Sequence, residues 1–385
     1  MIYDAIVLGV GGMGSSTVYH LARRGLRVLG LEQFNIGHSF GSSHGINRII
    51  RLAYAEDPRY VPLLRRSYEL WRELEFAAGE RLLFITGSVD AGPPNGAIVQ
   101  GSLASCKEHN LPHEVLNSTE LHRRFPGYCY PKELMAVFQQ DGGFVLSERA
   151  IFAYVAVAQS LGAAIHARER VRSWDVKRGS VIVQTDCETY RGKRLVVCAG
   201  PWASKIVRRL ENARLATPER QVLIWTQPHH PERFQLGKFP VFNMEAVESG
   251  RLTRYYGLPI FGVPGFKLGK YHHRKQKVDP DRMNRECDAT DEAVLRRAIR
   301  NYFPDADGPT MAMTTCLFTN SWDEHFVLDT HPEYPQVSVA AGFSGHGFKF
   351  ASVVGEIMAD FVEHGGCTRF DISLFRSTRL PTEKQ

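Results

Sequence analysis

The stretch YDAIVLGVGGMGSS, residues 3–16, decides the fold. Its first eight residues form a short apolar run bounded by glycine, as in a strand buried on both faces. Gly9, Gly11 and Gly14 then follow in GxGxxG spacing, and Met13 to Arg24 has helical composition that stops at Gly25. A second apolar run, RVLGLE at 27–32, completes a β-α-β unit. That context turns a weak motif into a strong one. The first glycine permits the tight turn, the second admits a pyrophosphate to the backbone, and the third lets helix and strand pack closely.

Glu32 ends the second strand, 23 residues after Gly9, where it can accept hydrogen bonds from adenosine ribose hydroxyls. Gln33 follows it, where a binder of a ribose 2′-phosphate would place arginine. The fingerprint therefore predicts FAD or NAD, excludes NADP, and does not choose between the first two.

Outward from this unit, YVPLLRRSYELWRELEF at 60–76 spaces its apolar residues as an amphipathic helix. Residues 87–96, GSVDAGPPNG, read as a loop or domain-crossing segment. A second α/β passage covers 147–206, with a helix around Arg149–Leu161, strands near Ala164–His166 and Val181–Gln184, and the strand-to-glycine run RLVVCAGPW. From about 217 to 314 the texture changes to alternating, aromatic-rich strands followed by a charged helix near 290–303. The expected fold is α/β with two domains. A discontinuous Rossmann-like nucleotide domain (1–86, 146–216, 315–385) is interrupted by a mainly antiparallel substrate domain (87–145, 217–314).

Composition excludes several function classes. The net charge of +6 is spread over scattered pairs such as Arg23-Arg24 and Arg65-Arg66, which suits a solvated surface and no nucleic-acid partner. No segment approaches the roughly 18 apolar residues of a membrane span. Seven widely spaced cysteines without CxxC pairs suggest neither disulfides nor zinc and fit a reducing, cytoplasmic compartment. His229-His230 and His272-His273 lack an HExxH context, so no metal is expected. The chain reads as a monomer.

GSSHGINRIIR, residues 41–51, gathers His44, Arg48 and Arg51 just after the ribose-binding strand. Two arginines there suit an anionic substrate or cofactor, because a guanidinium stays charged and forks onto carboxylates. The segment from Cys316 to Phe350, CLFTNSWDEHFVLDTHPEYPQVSVAAGFSGHGFKF, joins a cysteine, a strand and a glycine-rich turn containing Gly345 and Gly347 and ending near Lys349.

VLGVGGMGSS, GSSHGINRIIRLAY with YVPLLRRSYELW, RYYGLPIFGVPGFKLGKYHH at 254–273, and the 316–350 segment occur in one order over more than 300 residues. In them the chain resembles the monomeric sarcosine oxidase and N-methyltryptophan oxidase family, flavoenzymes of the D-amino-acid oxidase superfamily. The resemblance implies FAD linked covalently to Cys316, a substrate-carboxylate pair at Arg51 and Lys349, and a lysine for oxygen reduction at Lys267. It also implies active-site roles for Arg48, His44 and Tyr256, and for His272, with His273 as the competitor. The implied reaction is oxidation of a secondary or N-methylated amino acid, with dioxygen as partner and hydrogen peroxide as product. A cyclic imino acid, another N-substituted glycine, or a dehydrogenase using a different acceptor is the alternative.

Phe318, Asn47 and Asn243 depart from the tyrosine, threonine and methionine of the sarcosine enzymes. Asn243 makes that wall of the pocket more polar.

Overall fold

In the computed structural model, which describes residues 1–207, 215–248 and 250–379, the first strand, Ile2–Leu8, lies at the centre of an eight-stranded sheet. Five strands run parallel in the order Val337–Ala341, Thr189–Val197, Ile2–Leu8, Val28–Leu31 and Ala164–His166. The apolar run of the first strand is continuous because both faces are covered. Ala5 and Val7 pack with the helices Gly12–Arg23, Ser147–Ser160 and Ala351–His364, whereas Ile6 and Leu8 pack beneath the antiparallel strands Val171–Lys177 and Ser180–Thr185.

A nine-stranded sheet faces this layer. All its pairings are antiparallel except that of Ser88–Gly92 with Val241–Glu248. Strand alternation sorts its side chains. Val89, Phe242, Tyr255 and Leu268 enter the core under the helix Ala289–Tyr302. Their neighbours Asp90, Asn243, Tyr256 and Lys267 therefore point the other way. A three-stranded sheet, Asn47–Ile50, Leu83–Ile85 and Gly143–Leu146, lies between the two larger ones in sequence.

The α/β expectation and its mainly antiparallel second sheet hold. Residues 88–92 correct the loop expected at 87–96: all five are buried, between Met135–Gln139 and Val241–Glu248. Glycine, proline and a lone aspartate gave the segment a turn composition, but Asp90 pairs with Arg51 and accepts from Ser102 and Asn243, which lets a central strand carry it. The strand Thr310–Asn320, which bears Cys316, belongs to the nine-stranded sheet and runs through the boundary expected at 315.

Candidate functional site

The ends of the parallel strands and the polar face of the nine-stranded sheet enclose one long cleft, with an empty volume of about 2070 Å³ including its open mouth. One end is bordered by Leu8–Met13, Glu32 and Gln33, and the other by Arg51, Asn243, Tyr256, Phe343 and Lys349.

At the first end, a Cβ on Gly14 would overlap the carbonyl oxygen of Gly9, so only glycine lets the helix Gly12–Arg23 start this close to its strand. Gly11 offers no capping side chain and no acidic residue occupies the first turn; the Gly12 amide donates to Ser43 Oγ at 3.3 Å, and the helix N-terminus borders the cleft. Glu32 is fixed by the Val10 and Phe34 amides, each 3.0 Å away. This is a cradle for a dinucleotide, with a carboxylate for the ribose and a helix N-terminus for the pyrophosphate.

In mid-cleft, Arg48 donates to the carbonyls of Asn47 and Ser42 and lies 3.5 Å from Cys316 Sγ. Cys316 is buried but borders the cleft. Phe318 packs on Gly345, where φ is +78° and an added Cβ would strike the ring. Gly347 borders the same wall.

Lys267 stands behind that wall. Its Nζ donates to the carbonyls of Gly45 (2.6 Å) and Asn47 (2.9 Å) and to Asn47 Oδ1 (2.8 Å). Burial, with Arg48 beside it, pushes its pKa well below the ordinary lysine value, and the three acceptors offset part of that cost. Glu148 holds the bend before this strand by accepting from the Gly45 and Ile46 amides.

At the far end Arg51 is fully buried, with Nε 3.0 Å from Asp90 and Nη2 3.1 Å from Glu56. Arg254 reaches Glu56 at 2.6 Å. Lys349 Nζ donates to the His346 carbonyl at 2.6 Å and lies over the Tyr54 ring. Arg51, Arg254 and Lys349 thus face Asp90 and Glu56, three cations against two carboxylates. Burial first, then Arg51, pushes Lys349 down to about 7. Among the described residues no acceptor meets Arg51 Nη1, although Arg51 borders the cleft. The cluster has room for one more anion.

Besides Lys267 and the packing glycine Gly14, three expected residues stand outside the cleft lining. His44 is buried with Nε2 unpartnered, and burial, then Arg48, pushes its pKa down to about 3. His272 sits 3.1 Å from both Glu219 and Glu324, which raise it to about 9. His273 is buried against Asp291. The left-handed φ of +51° at His272 turns this hairpin so that Tyr271, not either histidine, borders the cleft. Sequence reading missed Tyr271, Glu56, Asp90 and Arg254. Only the five-residue spacing of Glu56 from Arg51 offered a signal.

The sequence profile of the DAO family, FAD dependent oxidoreductase, matches residues 4–361. The chain belongs to this family. It is therefore an FAD-dependent oxidoreductase, and the amide cradle and Glu32 fit the FAD that DAO family members use. Over 381 residues the chain is 40% identical to the monomeric sarcosine oxidase of Streptomyces avermitilis, covering 98% of each. It is 33% identical over 382 residues to N-methyl-L-tryptophan oxidase of Yersinia pestis, covering 99% of this chain and 100% of that one. The solved structure of NikD, an amino acid oxidase of nikkomycin biosynthesis, superposes with a TM-score of 0.82 at 25% identity, covering 97% of each chain. Among the described residues, no helix is long and apolar enough to cross a membrane.

Proposed function

We propose that this enzyme oxidises the C–N bond of a secondary or N-methylated amino acid, with dioxygen as electron acceptor. The observation that carries the reading is the buried cluster of Arg51, Arg254 and Lys349 against Asp90 and Glu56 at the cleft's far end. One positive charge in excess, with Arg51 Nη1 unmatched, is complementary to one substrate carboxylate.

Anchored there, the substrate is oriented by its carboxylate, and Tyr256, Tyr271 and Phe343 exclude water around its carbon–nitrogen bond. Little strong base is needed when the amine binds neutral. FAD, held by the helix N-terminus at Gly11–Met13 and by Glu32, would supply the two-electron acceptor for oxidation of the carbon beside nitrogen and would pass the electrons to dioxygen, giving hydrogen peroxide. Water then hydrolyses the imine. Lys267, whose Nζ donates to three oxygens as an ammonium does although burial lowers its pKa, is the cation for the negative charge that develops as oxygen is reduced, and Arg48 adds a second beside it.

The reading extends to Cys316 as a covalent attachment point for FAD, supported by its place on the cleft wall, 3.5 Å from Arg48 Nη2. It also assigns 1–86, 146–216 and 315–385 to FAD binding and 87–145 with 217–314 to substrate binding, the strand Thr310–Asn320 passing between them. A cytoplasmic, monomeric enzyme is part of the same reading.

Two measurements test it. N-methyl amino acids should bleach the flavin anaerobically and release peroxide in air; no response to any of a panel would refute the substrate class. After acid denaturation the yellow colour should stay with wild-type polypeptide and leave with Cys316→Ser. Colour lost from the wild type would sink the covalent link.

A further inference from the structure

Asp90, Asn243 and Tyr256 lie side by side on three adjacent strands, in register on the face that borders the cleft. Asp90 divides its two oxygens. Oδ2 takes Arg51 Nε at 3.0 Å and the Ser102 hydroxyl at 2.8 Å, while Oδ1 takes the Asn243 amide nitrogen at 3.1 Å. Because a carboxylate flanked by an arginine accepts and does not donate, this bond fixes which way the Asn243 amide faces. Its NH₂ is turned towards Asp90 and its carbonyl oxygen away.

Asn243 is 1% exposed and borders the cleft, yet no described residue donates to Oδ1. Nor is that atom sealed in the interior with the buried unpartnered atoms. The neighbouring Tyr256 does not cover it: the phenol ring lies over Gly269 on the opposite side, where a Cβ would fall 2.5 Å from the hydroxyl oxygen. A buried, oriented acceptor thus faces the cleft one carboxylate away from Arg51.

We propose that Asn243 determines specificity, its Oδ1 selecting amino acid substrates whose nitrogen or α-carbon substituent carries a hydrogen-bond donor, a hydroxyl or an N–H. This rests on the carboxylate anchor proposed above. A fully apolar substituent leaves the oriented carbonyl dry and unpaired, which disfavours it relative to an isostere that donates.

The test compares two isosteric pairs, N-(2-hydroxyethyl)glycine with N-propylglycine and N-methylserine with N-methyl-2-aminobutyrate. The readout is anaerobic flavin bleaching in the holoenzyme, so oxygen chemistry does not enter. In Asn243→Leu the preference for the hydroxylated member of at least one pair should fall by about tenfold relative to wild type. Unchanged preferences in a variant with normal flavin content and melting temperature would overturn this inference alone. Bleaching by none of the four would overturn both it and the oxidase reading. Should Asn243→Leu fail to fold, wild-type flavin absorbance supplies the second test. Glycolate must then perturb it at lower concentration than propionate, and equal or weaker binding of glycolate overturns the inference.

Discussion

A simple carboxylate such as propionate should bind the holoenzyme with an affinity set by the protonation of Lys349. Burial first, then Arg51 and Arg254, bring its ammonium down to about 7 against the opposing pull of Glu56 and Asp90. The cation is present below that pH and lost above it. A carboxylate that needs the cation should show a flat Kd below pH 7 and a Kd rising tenfold per pH unit beyond it, about a hundredfold weaker at pH 9. Titration of the flavin absorbance with propionate from pH 6 to 9 measures this directly. Lys349→Met should weaken binding at pH 6 to roughly the wild-type level at pH 9 and abolish the dependence. The same lowering has a consequence for stability. Between about 7 and the ordinary lysine value the unfolded chain binds the proton that the folded chain releases, so stability without ligand should rise with pH across that window. A wild-type Kd that stays constant from pH 6 to 9, or a Lys349→Met variant that keeps the slope, would refute the assignment.

Two further outcomes can be checked with substitutions elsewhere. Lys267→Met should slow reoxidation of the reduced flavin by oxygen by about 10² to 10³ while anaerobic reduction changes much less, as stopped-flow absorbance would record; equal slowing of both half-reactions would contradict its role. Asp291 binds Arg220 through both oxygens, at 3.0 and 2.7 Å, in a buried pair remote from the cleft lining. Asp291→Ala strands that guanidinium and should cost about 3–5 kcal/mol in urea unfolding, with substrate preference unaltered.

The dinucleotide half was legible because its chemistry is local. Gly9, Gly11, Gly14 and Glu32 lie within 24 residues and are joined by one β-α-β unit, so spacing alone placed Gly9, Gly11 and Glu32 at one end of the cleft and Gly14 in the packing behind it. The substrate half is non-local. Arg51 meets Asp90 across 39 residues, Asp90 meets Asn243 across 153, and Arg254 meets Glu56 across 198, distances over which no periodicity carries information. The resemblance to flavin oxidases brought Arg51 and Lys349 into view but not the carboxylates that hold them. The 271–275 hairpin was misread for a related reason. Which of three consecutive residues faces inward depends on a left-handed residue, His272, and histidine does not announce that conformation in a sequence.

The three hydrogen bonds of Lys267 also have a mechanical meaning. A side chain rooted in the nine-stranded sheet is tied to the backbone around the strand Asn47–Ile50 of a different sheet, 220 residues away. The two sheets are thereby clasped behind the cleft, and a hinge motion between them there would have to break all three bonds. Entry and exit of substrate must come from local movement at the mouth.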